Sequence, residues 1–400
     1  MKQFLTLFVL LCSAAVFAQP ANPNILFKLQ GHSDDLECLA VSGNGKYIAS
    51  GSWDGIVNLF RTDSNYTPLG TFSDHFSAVN CIAFTNNGKT MVTGGNDGKF
   101  FTYLIDTFGA VTKDKSMSLH RMSINSIYID PGAKFIYTGS NDGTIIQYEL
   151  AKNKERKLNN TNPVSCIAVG MDRKTIYCSD NTSIIKKYDL LNINIPVVNY
   201  AGHTDQVNCI ALSKDNKFLV SASSDKTIKI WNTVTGKLEK TLTGHEWKVL
   251  TVAISQNGKY IISGSNDGST KLWDIETGKE IRSYDNIGTN VRGVAFSNDN
   301  SRVFAAMNYP VDSFETKGIL ALASGIEKPK KELPKSPVKA PMPKGTTPKG
   351  VTKEGGNDPG KKPEPTPGTT KQIIKKTDEI EISEEKKKTP EPKKDDNRQD

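Results

Sequence analysis

Five histidines and five aspartates share one register along this 400-residue chain. His32, His75, His120, His203 and His245 stand 22 residues before Asp54, Asp97, Asp142, Asp225 and Asp267, and they are the only histidines present. An imidazole beside a carboxylate is equipment for general acid–base chemistry or for holding a metal. A catalytic centre needs such a pair once. Five copies in one register point to a structural use instead.

The phrase around each Asp is also repeated: "SGSWDGIVNLF" at 50–60, "TGGNDGKFFTY" at 93–103, "TGSNDGTIIQY" at 138–148, "SASSDKTIKIW" at 221–231 and "SGSNDGSTKLW" at 263–273. A Ser or Thr lies four residues before the acid and an aromatic six after it. Between His and Asp run two strand-like segments joined by a tight turn, as in "VLTVAIS", "QNGK" and "YIISGS" at 249–265. Asn-Gly and Asp-Asn suit a hairpin turn that needs positive φ. A third strand carries the aromatic, and a fourth follows a "TGK" turn. The unit is therefore four short antiparallel strands in about 42 residues, and such a period marks a repeat architecture.

These units resemble the WD-repeat family, with Gly-His at 31–32, 202–203 and 244–245, Trp-Asp at 273–274 and Trp-Asn at 231–232. Two further units are worn. In the fourth (163–189), Asn160 replaces the His, Cys178 the Ser/Thr and Thr182 the Asp; the seventh (290–322) runs out after three strands. The segment "NILFKLQGH" at 24–32 matches "KLEKTLTGH" at 237–245 and can supply the missing outer strand. The expectation is an all-β fold, a seven-bladed β-propeller over residues 19–326 closed by its N-terminal strand, which removes exposed sheet edges.

The resemblance implies that His245, Ser263, Asp267 and Trp273 form a hydrogen-bonded relay within a blade, as do His203, Ser221, Asp225 and Trp231. Where the aromatic is Phe60, Tyr103 or Tyr148, its contact with the hydroxyl is expected to change or disappear while packing remains. No catalytic residue, metal or cofactor is assigned. Cys38, Cys81, Cys166 and Cys209 share one position of the first strand, filled by Ser126 and Thr251 elsewhere, and read as free buried thiols. "NNGKT" at 86–90 lacks the opening Gly of a phosphate loop and reads as a hairpin turn.

The two ends differ from the middle. Residues 1–18 carry Lys2, an apolar run and small residues up to Ala18, the pattern of a secretory signal peptide. From 327 to 400 the chain holds 12 of its 19 prolines and no aromatic residue, so a disordered tail is expected. That tail carries most of the formal net charge of +8. The repeats are nearly neutral, which argues against nucleic-acid binding. No segment is long enough for a transmembrane helix.

A WD-repeat resemblance implies a surface for protein partners rather than an enzyme. The expected protein is an exported, monomeric, non-catalytic scaffold, periplasmic or extracellular and bacterial rather than eukaryotic, with an unidentified protein partner. Asp35, Glu37, Trp53, Lys248, Leu250 and Arg292 map by register to one face. Tyr309 and Phe314, in the insertion at 308–317, are expected to join them in a rim patch. Two alternatives remain: a hydrolase or lyase, or an envelope-polymer or ligand-binding protein, either using the central mouth. The basic tail reads as a solvated spacer, with contact to an anionic envelope surface as a second use.

Overall fold

The computed structural model describes residues 25–160, 162–191, 196–284, 289–307 and 317–323. The chain divides into two units, Met1–Leu333 and Pro334–Asp400, and every described residue belongs to the first. Apart from one short 3-10 turn at Thr62–Ser64, the regular structure of the described residues is all β.

The described strands make seven four-stranded antiparallel sheets. The sixth shows the plan: Val249–Ile254, Tyr260–Ser265, Thr270–Asp274 and Glu280–Tyr284 pair in sequence order. Alternation explains why such sheets stack. Along Tyr260–Ser265 and its equivalents almost every residue is buried, so each middle strand needs cover on both faces.

That cover comes from the neighbouring sheets. Seven apolar clusters each lie between two consecutive sheets. One joins Ile262 and Leu272 of the sixth to Val291 and Val303 of the seventh. Another joins Phe304 and Ala306 of the seventh to Leu36, Ile48 and Phe60 of the first. No sheet buries its faces alone, which is the energetic reason the unit must repeat. The inner strands Leu36–Val41, Val79–Phe84, Ile124–Ile129, Val164–Val169, Val207–Leu212, Val249–Ile254 and Val291–Phe296 contact one another in that order, and the last contacts the first. The first strand, Ile25–His32, pairs antiparallel with Lys317–Ala323 at the outer edge of the seventh sheet.

The hairpin turn after every inner strand holds one residue in the left-handed region: Gly45, Gly88, Ala133, Arg173, Asn216, Gly258 and Asn300. Five of these are Gly or Asn, as the turn chemistry requires. Ala133 and Arg173 accept the strain without that help.

Every inner strand is also broken at one point. The register to the next strand slips between its first and third residues, at Glu37, Asn80, Asn125, Ser165, Asn208, Leu250 and Arg292. These are β-bulges, and a bulge re-aims the side chain it carries.

Candidate functional site

The repeated His and Asp come together as spaced. In the sixth sheet Trp273 Nε1–H donates to Ser263 Oγ at 2.9 Å, and Ser263 Oγ lies 2.7 Å from His245 Nε2. His245 Nδ1 is 2.9 Å from Asp267 Oδ2. A carboxylate can only accept, so Nδ1 carries the proton and Nε2 accepts from the serine hydroxyl. Asp267 also accepts from the backbone N–H groups of Glu246 and Ser269 at 2.9 and 2.8 Å. The fifth sheet repeats this: Trp231 to Ser221 at 2.8 Å, His203 to Ser221 at 2.7 Å and His203 to Asp225 at 2.7 Å.

In the first three sheets the His–Asp pairs are His32–Asp54, His75–Asp97 and His120–Asp142, at 3.0–3.1 Å, and Ser50, Thr93 and Thr138 meet the other ring nitrogen. Tyr103 hydroxyl instead donates to Asp74 at 2.9 Å and Tyr148 hydroxyl to Asn153 at 3.1 Å.

Electrostatics match a locked relay rather than a proton shuttle. Burial lowers the pKa of His32, His120 and His203 despite the pull of their aspartates, which keeps those rings neutral. Burial pushes the Asp267 carboxyl up, but the His245 and Ser269 hydrogen bonds outweigh it and hold it well below the carboxylate range. All five histidines are buried, out of reach of a substrate.

The fourth sheet corrects one sequence expectation. Thr182 does stand at the Asp position, but its role passes to Asp180, two residues earlier. Asp180 Oδ2 accepts from Lys186 Nζ at 2.8 Å and from Asn160 and Asn162 at 3.2 Å each. Its other oxygen accepts from Thr182 N–H at 2.9 Å and Thr182 hydroxyl at 2.5 Å. Lys186 also donates to Asn160 Oδ1 at 2.9 Å. A buried ion pair replaces the His–Asp pair, on a carboxyl that burial raises and Lys186 draws down to about 2.

On the same face, the seven bulged residues line a central cavity of about 470 Å³. Three asparagines use one design. Asn80 donates to Asn96 and to Ile124 O of the next sheet, at 2.8 and 3.0 Å. Asn125 donates to Asn141 and Val164 O, and Asn208 to Ser224 and Val249 O. Each latches its own turn, 16 residues on, to the neighbouring sheet. These side chains are committed to architecture.

The first sheet keeps the 16-residue pairing and changes its chemistry: Trp53 Nε1–H donates to Glu37 Oε2 at 2.8 Å. Glu37 Oε1 accepts from Arg292 of the seventh sheet at 3.0 Å. Trp53 N–H also donates to Asp35 O at 2.9 Å. Asp35, Glu37, Trp53 and Arg292 are thus brought together, spanning the junction of the last sheet with the first. Lys248 is exposed, and half-buried Leu250 stands where other sheets place Asn. Its partner by register, Asn266, keeps a buried Oδ1 with no hydrogen-bond donor. Tyr309 and Phe314 lie outside the described residues.

Among the described residues lining the cavity, Glu37 is the only acid and Arg292 the only base, and they neutralise each other. No group of three or more His, Cys, Asp or Glu among the described residues could hold a metal.

The sequence reading missed the exposed apolar residues of the loops that enter the inner strands. Phe76 is 85% exposed, Trp247 62% and Met122 53%, and Trp53 adds 53% from its turn. Phe76 directly follows His75, while Met122 and Trp247 stand two residues after their histidines, so all three share the face of the His–Asp turns. The His register itself was the signal that could have found them.

Five stretches of the chain, residues 23–61, 66–101, 112–149, 194–232 and 236–274, match the WD domain, G-beta repeat family. The unmatched residues 150–193 and 275–323 include the worn fourth and seventh units. The chain is 47% identical over 49 residues to the Target of rapamycin complex subunit LST8-1 of Arabidopsis thaliana, covering 12% of this chain and 16% of that protein. It is 42% identical over 59 residues to the WD repeat-containing protein 89 homolog of Dictyostelium discoideum, covering 15% of this chain and 16% of that one. The chain therefore matches only a small part of the length of either relative.

Proposed function

Because the chain belongs to the WD-repeat family, we propose that it is a non-catalytic scaffold presenting one face of a closed, seven-bladed propeller to a protein partner. One observation carries the reading: Trp53, Phe76, Met122 and Trp247 are exposed on the face that also bears the mouth of the cavity. The sheets do not need these side chains for packing, and exposed aromatics are the usual anchors of binding energy. Ring closure is supported by the pairing of Ile25–His32 with Lys317–Ala323 and by the apolar cluster between the seventh and first sheets.

The alternative of an enzyme at the mouth has little to work with, since Glu37 is held by Arg292 and Trp53. Among the described residues no helix is long and apolar enough to cross a membrane. Export stays part of the proposal, on Lys2 and the apolar run to Ala18, and fractionation of the source cells tests it.

The partner face is tested by replacing Phe76, Met122 and Trp247 together with serine in the full chain. A control replaces exposed Phe108 and Val234, which lie in the turns between third and outer strands on the opposite edge of the sheets. The first variant is expected to fold and to lose the proteins that wild type captures from its own cell fraction, while the control keeps them. Equal capture by both variants ends the proposal.

A further inference from the structure

Directly below the mouth, the third residue of each inner strand forms a second ring around the cavity: Cys38, Cys81, Ser126, Cys166, Cys209, Thr251 and Gly293. All five described cysteines, these four and Cys178, are free thiols. Those of the ring are not equivalent. All four reach a carbonyl of the next sheet, those of Val79, Ile124, Ile210 and Val252, at 3.5–3.8 Å, and they differ in what else they meet. Cys166 and Cys209, on adjacent sheets, bring their sulfurs to 4.0 Å of each other, and Ser126 hydroxyl lies 3.7 Å from Cys166 Sγ.

We propose that Cys166 and Cys209 form a binding site for a soft monovalent cation of the copper(I) or silver(I) class, reached through the mouth of the central cavity. Thiolates select such ions over hard cations, and the choice follows from ligand number as well as softness. Tetrahedral zinc needs about four ligands at about 2.3 Å, and this ring offers only two adjoining sulfurs. A metal–thiolate bond of about 2.3 Å gives a straight S–M–S span of about 4.6 Å. The sulfurs therefore need to separate by only a little over half an ångström, or to hold the ion in a bent arrangement with Ser126 oxygen beside it. A disulfide would instead require the sulfurs on the two inner strands to close by about 2 Å. Those strands are pinned by bulge latches and by the packing between sheets. Binding replaces both thiol protons by one cation, so each equivalent taken up releases up to two protons.

The fold tolerates the test, because Ser126 and Thr251 already occupy this ring position. The full chain, reduced and kept anaerobic, is titrated with copper(I) against a chromogenic copper(I) chelator, and native mass spectrometry counts the bound ions. Wild type is expected to take one equivalent in competition with the chelator. Cys166→Ser and Cys209→Ser each weaken that uptake by about 10–100-fold or more. Cys12→Ser, Cys38→Ser, Cys81→Ser and Cys178→Ser leave it unchanged. Wild type that cannot compete with the chelator overturns the proposal. So does equal binding by wild type and the Cys166→Ser/Cys209→Ser double variant.

Discussion

Asp180 is where the fourth sheet departs furthest from its siblings, and removing it has a calculable result. Its side chain is 1% exposed and that of Lys186 18%, so the pair sits almost out of water. Asp180→Ala deletes a carboxylate that receives five hydrogen bonds, from Lys186, Asn160, Asn162 and twice from Thr182. The Lys186 ammonium keeps a hydrogen bond to Asn160 oxygen and loses its counter-charge. Breaking one side of a buried pair costs about 3–5 kcal/mol, a large part of a stability of about 5–15 kcal/mol. Lys186→Met falls at the low end, because four donors still face the carboxylate. If the ion pair carries the effect, the double variant is less destabilised than the sum of the singles, by about 1–3 kcal/mol.

The assay is urea unfolding of the full chain, with hydrogen exchange to localise the loss to residues 164–189. The pH dependence gives an independent reading. The Asp180 carboxyl is held at about 2, below its unfolded value of about 4. Its stabilisation is therefore present above pH 4 and is lost as pH falls from about 4 towards 2. The stability gap between wild type and Asp180→Ala should narrow over that window. A cost below about 1 kcal/mol, or single effects that simply add, would refute the view that an ion pair replaces the His–Asp pair here.

Two further perturbations test the architecture. Ser263→Ala strips the partner from both Trp273 Nε1–H and His245 Nε2 and should cost about 2–3 kcal/mol; Ser50→Ala, where Phe60 makes no such bond, should cost about 1–2 kcal/mol. Equal costs by denaturant unfolding would mean that the indole bond contributes nothing. Gly293→Ala places a methyl group 2.9 Å from Leu39 N and 3.2 Å from the Cys38 carbonyl carbon, so the seventh and first sheets must part. A cost of about 1–3 kcal/mol with faster proteolysis at that junction is expected, and an unchanged digestion pattern would count against a tight seam.

The period and the His–Asp spacing were legible because every unit needs the same hydrogen bonds at the same distance along the chain. Periodicity also marked the hairpin turns, since a positive φ filters for Gly and Asn. The bulges were not legible. A bulge changes which way one side chain points without changing residue type, and so nothing in the sequence marks Asn80, Asn125 and Asn208 as latches. Asp180 escaped for a related reason: its network is rebuilt from the end of a strand instead of the following turn, and strict alignment on the turn looks past it. The meeting of Cys166 with Cys209 depends on how far apart adjacent sheets are held, and no spacing within one sheet encodes that.

The departures from repetition are therefore more informative than the repeats. Around the mouth, the second, third and fifth sheets solve one problem identically, with an Asn that ties its own turn to the next sheet. The fourth sheet, with Ser165, lacks that Asn, and the sixth, seventh and first abandon the solution together. Leu250 leaves Asn266 oxygen without a donor, Arg292 and Glu37 put a charge pair across the junction, and Trp53 stands exposed over it. Trp247 and Lys248 flank the same sector. Architecture alone would favour the asparagine latch at all seven positions, because it satisfies the turn and the neighbouring carbonyl at once. Giving it up in three consecutive sheets costs hydrogen bonds, and that cost has an evident use if this sector receives a partner. The sector joining the sixth sheet to the first, together with the exposed Phe76 and Met122 loops, is where substitutions should separate binding from folding.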